Sequence, residues 1–186
     1  MSAIVYHDLQ AMMGSARLDE VVLVVLSAYR SSGEQAVIFE RIVQRQFARA
    51  DRPLTREEAE ELARRVSARP GYSQHQLGTA IDFTSPEIGN TLNSRFSETA
   101  AGSWLGEHSW SFGFVFPYTA TAEPRSAYRP EPWHVRWIGR PLAAVLQRDG
   151  YARASAPIVD DYLGAMLEIL RLVRSEERRV GKECRL

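Results

Sequence analysis

The chain has 186 residues, of which 45% are hydrophobic, so it is long enough for one domain with a substantial core and too short for two ordinary domains. Its 23 basic and 23 acidic residues balance, which gives no general attraction to nucleic acid or to an anionic membrane surface. The longest aliphatic run, residues 21–26, is far shorter than the roughly twenty residues that cross a bilayer. We therefore expect neither a nucleic-acid partner nor a transmembrane segment.

The first half of the chain predicts three helices and one strand. Residues 7–16 form a short predicted helix, and the β-branched apolar run at 21–26 predicts a strand buried on both faces. From residue 35 to residue 47, apolar residues recur at helical spacing, which predicts a helix that packs on the sheet. A Thr/Glu capping box then predicts a further helix over 56–68.

The second half predicts short strands, helices and one long surface loop. Alternation over residues 79–83 puts Asp82 on the face of a strand away from its bulkier apolar side chains. Ser97 is the expected N-cap of a helix that Gly113 ends. The remaining predicted elements are strands at 114–116 and 135–138, an irregular loop at 119–130, and helices at 141–148 and 160–173.

Residues 174–186 resemble the translation of a common sequencing adaptor. We therefore expect a non-native tail that takes no part in the fold. The only cysteine, Cys184, lies in this tail, so it gives no information on disulfides or redox compartment. The sequence predicts a single domain over residues 1–173.

Two short segments carry residues that suit a catalytic zinc site. Neutral imidazoles and a carboxylate oxygen are good zinc ligands, and a catalytic zinc typically takes three such ligands from the protein. His75 and Asp82 in the first segment and His134 in the second supply this set. Glu131, three residues before His134, is the candidate general base.

Four motifs follow one another along the chain. They are YRSS at 29–32 with Gln35, the pattern SxHxxGxAxD at 73–82, WLGEHSWSFGFVF at 104–116 and EPWHVRWIG at 131–139. With these motifs the chain resembles the VanY-like D-alanyl-D-alanine carboxypeptidases, from about the N-terminal helix to the helix predicted at 160–173. The resemblance implies an α+β fold shared with the D-Ala-D-Ala dipeptidases and the hedgehog signalling domain. In that fold a small, mainly antiparallel sheet carries a zinc site and is flanked by helices.

The resemblance also implies an activity, which is the zinc-dependent hydrolysis of the terminal D-Ala of peptidoglycan stem peptides. By resemblance, the zinc ligands are His75, Asp82 and His134, and the general base is Glu131, in agreement with the chemistry above. Arg30 matches the family arginine near the scissile carbonyl, where a guanidinium would stabilise the developing oxyanion.

Ser73 and Gln35 match family positions associated with substrate binding, where a hydroxyl and an amide can bond the carboxylate or backbone of the peptide. The implied partner is a peptidoglycan stem peptide or muropeptide, and we expect a monomer. The family generally works in the periplasm or outside the cell, although residues 1–14 lack the pattern of a signal peptide.

Alternatives remain open at this point. Related zinc peptidases cut L,D bonds of tetrapeptide stems or L-alanyl-D-glutamate bonds, and their motifs overlap with these. A non-catalytic, zinc-stabilised binding module, as in the hedgehog-type relatives, belongs to a different class. Glu131 and Arg30 argue against it, because a pure binder needs no base beside an open metal position.

Overall fold

The computed structural model describes residues 3–121 and 123–148, which form one antiparallel sheet with flanking helices. This arrangement confirms the expected α+β class. The strands are β1 (Val24–Ser27), β2 (Ala80–Thr84), β3 (Phe114–Val115) and β4 (His134–Trp137). The helices are α1 (Ala3–Leu18), α2 (Ser32–Arg49), α3 (Arg56–Arg64), α4 (Ala100–His108), α5 (Glu123–Ser126) and α6 (Arg140–Arg148).

The strand order is β1-β2-β4-β3, so β2 and β4 form the centre of the sheet. In the antiparallel register, Asp82 of β2 lies opposite His134 of β4 and opposite Ser27 of β1. Directly opposite residues in such a pair have Cβ atoms about 4.5–5.5 Å apart. The centre of the sheet thus brings together side chains that are far apart in the sequence.

The main core lies between α1, the sheet and α4. Helix α1 buries Val5, Leu9, Met12 and Ala16, a spacing that forms one apolar stripe along a helix. The stripe belongs to the same cluster as Phe83 of β2 and the aromatic and aliphatic side chains of α4. This packing buries the side of β2 that carries Ile81 and Phe83.

Helices α2 and α3 pack on each other through a second, smaller cluster, which consists of Phe39, Val43, Ala59 and Ala63. Both helices begin with a capping box. The Thr55–Glu58 box confirms the predicted start of α3. Helix α2 starts three residues earlier than predicted, because Ser31 accepts a hydrogen bond from the Glu34 backbone N–H and the Glu34 carboxylate accepts one from Ser31 in return.

The prediction of a strand buried on both faces at 21–26 is wrong. The strand β1 begins at Val24 and lies at the edge of the sheet, where Val25 and Leu26 are 36% and 47% exposed. Leu23, which precedes the strand, is the residue of this run that is buried in the core. A short apolar run does not reveal how many of its faces are covered, because neighbouring elements decide that.

Two further predictions differ from the structure, and two more lie outside the described residues. The cap of α4 is Thr99 rather than Ser97, since the Thr99 hydroxyl accepts the Gly102 backbone N–H at 3.0 Å. The predicted loop at 119–130 contains the short helix α5. The helix predicted at 160–173 and the tail at 174–186 lie outside the described residues. Among the described helices, none is long and apolar enough to cross a membrane.

Candidate metal centre and active site

The three predicted zinc ligands converge at one buried point. His75 lies in the 3₁₀ helix Gln74–Leu77 just before β2, Asp82 lies within β2, and His134 begins β4. One ligand atom from each lies within 4.8 Å of the other two, and the residues are 5%, 4% and 2% exposed. Two imidazoles and one carboxylate at this separation form a donor set that can hold zinc.

Each histidine ring turns one nitrogen to Asp82 and has the other nitrogen bonded elsewhere. His75 Nε2 lies 3.2 Å from Asp82 Oδ2, and His134 Nδ1 lies 2.9 Å from Asp82 Oδ1. On the far sides of the rings, His75 Nδ1 donates to the Ala28 carbonyl at 2.6 Å and His134 Nε2 lies 3.0 Å from Gln74 Oε1. A metal ligand needs this arrangement, because the second nitrogen must carry the proton.

The protonation states of these groups also suit a metal. Burial alone would raise the pKa of Asp82, but the ring nitrogens of His134 and His75 that face its oxygens outweigh burial and hold that pKa well below the ordinary value. Burial lowers the pKa of His134 although Asp82 opposes the shift. An ionised carboxylate beside a neutral imidazole is the form in which both can coordinate.

Glu131 lies beside this cluster at a tight turn. The His134 backbone N–H donates to the Glu131 carbonyl at 3.1 Å, and Glu131 Oε2 lies 3.9 Å from His134 Nδ1. Burial, and after it the charge of Asp82, raises the pKa of Glu131 to about 8, with Arg30 opposing the shift. The structure therefore places a carboxyl group with altered proton affinity next to the candidate metal position.

Arg30 approaches the cluster from the segment after β1. Its Nη1 donates to Gln35 Oε1 at 2.9 Å, its Nη2 donates to Ser27 Oγ at 3.0 Å, and Nη2 lies 3.8 Å from Asp82 Oδ2. Gln35 is itself 1% exposed and donates through Nε2 to Ser67 Oγ and to the Ala68 carbonyl. The guanidinium is thus held in one orientation by a buried amide.

All predicted site residues line one cavity of about 210 Å³. Ser73 is 8% exposed, and its hydroxyl does not cap the 3₁₀ helix that follows it. The cavity wall includes Arg30, Gln35, Ser73, His75, Asp82, Glu131 and His134. A cavity that holds several titratable groups and a candidate metal position is the usual form of an active site.

The family can now be assigned. The family model of VanY, the D-alanyl-D-alanine carboxypeptidases, matches residues 1–140 of the chain. The chain belongs to the VanY family. The putative carboxypeptidase YodJ of Bacillus subtilis is 34% identical to the chain over 139 residues, which are 75% of this chain. A D-alanyl-D-alanine carboxypeptidase of Enterococcus faecalis is 32% identical over 142 residues, which are 76% of this chain. The chain covers 46% and 50% of their lengths, so it spans about half of each.

Solved structures of the VanY family and its relatives share the fold. VanYB in complex with D-alanine-D-alanine has a TM-score of 0.74 at 29% identity, with 88% of this chain and 82% of that chain covered. A mutant VanY D,D-pentapeptidase in complex with Zn(II) has a TM-score of 0.70 at 31% identity, with 81% and 79% covered. The LdcB LD-carboxypeptidase has a TM-score of 0.69 at 31% identity, with 81% and 64% covered.

Several residues of the site were not singled out from the sequence. Gln74 contacts the ring of His134, and the centroids of the Tyr118 and His134 rings lie 5.0 Å apart. Tyr118 also lies 4.8 Å from the ring of Tyr128, and both tyrosines line the cavity with Trp133. Gln74 directly precedes His75 within the pattern at 73–82, and this position is the one sequence feature that could have indicated it. Tyr118 directly precedes the predicted loop at 119–130 and Tyr128 lies within it, where no periodicity marks either residue.

Proposed function

We propose that this protein is a zinc-dependent D-alanyl-D-alanine carboxypeptidase that removes the terminal D-Ala of peptidoglycan stem peptides. The observation that carries the proposal is the buried convergence of His75, Asp82 and His134 in one cavity with Glu131 and Arg30. Membership of the VanY family supports the same reaction. The chain spans about half of the relatives it matches, so the activity, substrate and partners of the whole protein are part of this proposal.

Zinc is the metal that this donor set fits. His75, Asp82 and His134 would hold it through two ring nitrogens and one carboxylate oxygen, and the oxygens on the far sides of both rings, the Ala28 carbonyl and Gln74 Oε1, suit the tautomers that this requires. When bound, zinc supplies Lewis acidity, which polarises a carbonyl group and lowers the pKa of water to about 7. The solved VanY structure in complex with Zn(II) supports this choice of metal.

Glu131 acts as general base and then as general acid. Its carboxylate takes one proton from the attacking water as the water oxygen bonds to the carbonyl carbon of the penultimate residue. The C–N bond to the terminal alanine then breaks, and Glu131 returns the proton to the departing amine. The turn between Glu131 and His134 supports this role, since it keeps the carboxylate oxygen 3.9 Å from the ring of a candidate ligand.

Arg30 stabilises the negative charge that develops on the carbonyl oxygen. Its guanidinium is permanently charged and directed into the cavity by Gln35 and Ser27, so the charge is in place before the reaction begins. Gln35 contributes by holding Arg30, because both of its amide ends are bonded within the protein. Ser73 offers a hydroxyl from the cavity wall to the carboxylate of the peptide.

The proposed substrate also indicates where the protein acts. Peptidoglycan is the proposed partner, so we place the protein outside the cytoplasmic membrane. We also propose that it acts as a monomer and that residues 1–173 form one domain. A second candidate function is an L,D-carboxypeptidase that acts on tetrapeptide stems. The similarity to the LdcB LD-carboxypeptidase favours this candidate, because its identity of 31% equals that of the VanY pentapeptidase.

The test is mass spectrometry of muropeptides with tripeptide, tetrapeptide and pentapeptide stems after incubation with zinc-loaded protein. We expect the loss of one alanine from the pentapeptide alone, and no cleavage by the Glu131→Gln variant, whose zinc content should be unchanged. Loss of alanine from the tetrapeptide would identify the L,D activity instead. A folded protein that binds one zinc and cleaves none of the stems would contradict the proposal and point to a binding module.

A further inference from the structure

Gln74 occupies a distinctive position in the cavity. It is the first residue of the 3₁₀ helix Gln74–Leu77, and its side chain lines the cavity next to the candidate metal position. Its Oε1 atom lies 3.0 Å from Nε2 of His134, which is 60 residues further along the chain. An amide oxygen accepts hydrogen bonds, so this contact favours the tautomer of His134 that carries its proton on Nε2 over the one that carries it on Nδ1 towards Asp82.

The two histidines obtain their orientation in different ways. The Nδ1 atom of His75 donates to the backbone carbonyl of Ala28, a group that no substitution removes. The ring of His134 is oriented by a side chain instead. As a result the two rings turn opposite nitrogens to Asp82, Nε2 from His75 and Nδ1 from His134.

Loss of the Gln74 amide would affect a buried group. His134 is 2% exposed, so its Nε2–H would lose its acceptor in a place where water has little access. A buried donor without a partner is unfavourable, and the ring can escape the penalty by moving the proton to Nδ1, where Asp82 can accept it. That tautomer has no lone pair to offer a metal on the side of Asp82.

We propose that Gln74 is a positioning residue for the zinc site, which fixes the tautomer of His134 so that Nδ1 faces the metal. This inference rests on the zinc site of the proposed function and adds a determinant that lies outside the ligand set. Gln74 acts through His134 and is not a ligand or a catalytic group. We therefore expect substitution of Gln74 to change the affinity of the substrate-free protein for zinc.

The experiment compares zinc affinities by competition with a chromophoric chelator at pH 7.5. We expect Gln74→Leu to bind zinc about 10–100-fold more weakly than the original chain, because loss of a hydrogen-bond partner behind a ligand typically costs this much. Gln74→Glu keeps an acceptor in the same place and should bind zinc within about threefold of the original chain or more tightly.

Gln76→Leu is the matched control. Gln76 lies in the same 3₁₀ helix and carries the same side chain, but its Oε1 accepts from the backbone N–H of Gly71 at 2.8 Å. We expect this variant to stay within about threefold of the original zinc affinity. An equal loss in both leucine variants would show that the short helix is generally sensitive, and would overturn the assignment to Gln74.

A second measurement keeps the inference testable if Gln74→Leu does not fold. In ¹⁵N NMR spectra of the original zinc-loaded protein, the ring of His134 should be coordinated through Nδ1 with its proton on Nε2. Coordination through Nε2 would overturn the inference, as would an unchanged zinc affinity in Gln74→Leu. Either result leaves the proposed zinc site intact, whereas failure of the original chain to bind zinc would overturn both proposals.

Discussion

Arg30 illustrates how much a single side chain in this site depends on its shape as well as on its charge. Two different nitrogens of its guanidinium are engaged, by Gln35 and by Ser27. A lysine offers one ammonium group on a flexible stem and cannot reproduce this fork. We therefore expect Arg30→Lys to lower kcat by about 100-fold, the usual effect of removing one group that stabilises an oxyanion.

The measurement is steady-state hydrolysis of a stem pentapeptide with zinc content determined in parallel. Arg41→Lys on the exposed surface of α2 is the control, and it should leave kcat unchanged. Unchanged zinc content in Arg30→Lys would assign the loss to the reaction step. A kcat equal to that of the original chain would show that positive charge alone is sufficient at this position.

The raised pKa of Glu131 makes a prediction for the metal-free protein. Its pKa of about 8 in the folded chain exceeds the ordinary carboxyl value, so the folded state binds the extra proton between these two pH values. The contribution to stability is fully present below the ordinary value and is lost as the pH rises through 8. Glu131→Gln removes this loss, because the amide stays neutral at every pH.

We expect metal-free Glu131→Gln to unfold at a higher temperature than the original metal-free chain at pH 9, by on the order of 5 °C. The difference should shrink towards pH 5, where Glu131 is protonated. Calorimetric scans in the presence of EDTA at both pH values measure it, and Glu57→Gln on the exposed face of α3 serves as control. A difference that grows towards pH 5 would contradict the stated sign.

The residues that sequence reasoning selected are those with a distinctive chemical type and motif. His75, Asp82 and His134 could be proposed because two histidines and a carboxylate are a common zinc donor set. The hydrogen bond from Nδ1 of His75 to Ala28 could not be predicted, because its acceptor is a backbone carbonyl and any residue type provides one. Gln74 was missed for a related reason, since a glutamine is an ordinary surface residue until its partner is known.

At the scale of the element, Gly102 of α4 shows how tightly one helix is packed. A Cβ atom at this position would collide with the carbonyl oxygen of Phe96, which belongs to the backbone of the preceding 3₁₀ helix Ser94–Glu98. No flexible side chain can move aside to make room. We expect Gly102→Ala to lower the free energy of unfolding by about 2–4 kcal/mol, at the upper range of overpacking substitutions.

Gly14→Ala in α1 is the matched control for Gly102→Ala. Gly14 is also helical, but apart from its chain neighbours and the nearby backbone of α1, no atom of the described residues lies within 4 Å of the position that its Cβ would take. Alanine favours a helix over glycine by about 0.5–1 kcal/mol, so this variant should be more stable than the original chain. Urea denaturation measures both changes, and equal stability of the two variants would contradict the packing argument.

Elements with a local signal were predicted well, and elements defined by their neighbours were not. The capping box of Thr55 and Glu58 lies within four residues, so the start of α3 was visible in the sequence. The exposure of β1 depends instead on its place at the end of the sheet, which involves pairing with residues far along the chain. The true cap of α4, Thr99, and the rejected Ser97 are both good N-cap types, so local preference could not separate them.

At the scale of the whole molecule, the candidate metal site joins the two central strands. Its ligands come from β2, from β4 and from the 3₁₀ helix that precedes β2. The unfolded chain does not hold these groups together, so zinc should bind the folded state preferentially and stabilise it. At a free zinc concentration of about 1,000 times Kd, zinc binding would raise the free energy of unfolding by about 4.1 kcal/mol.

We therefore expect EDTA to lower the Tm of zinc-loaded protein by on the order of 10 °C, and zinc to restore it. The Asp82→Ala variant provides the control. It lacks the carboxylate of the proposed ligand set, so added zinc should leave its Tm nearly unchanged. Differential scanning calorimetry makes the comparison. A zinc-dependent rise in Tm that is equally large in Asp82→Ala would show that zinc binds elsewhere.

The fold as a whole could be predicted because of the resemblance, and only partly because of periodicity. The pattern of apolar residues indicated helices and short strands, but it did not order the strands in the sheet. The order β1-β2-β4-β3 places β4 between β2 and β3, although β3 precedes β4 in the sequence. Such a crossover depends on long-range packing, for which a window of a few residues carries no information.

The pairing of β2 with β4 has a consequence for how the native state is selected. Side chains alternate between the two faces of a strand, so a slip of β4 by one residue would turn His134 to the opposite face from Asp82. The same slip would turn Val135, which is buried in the main core, away from the other core side chains, and it would separate the metal-binding side chains. Metal binding would therefore stabilise the same pairing that core packing favours, and a slipped sheet would lose both contributions.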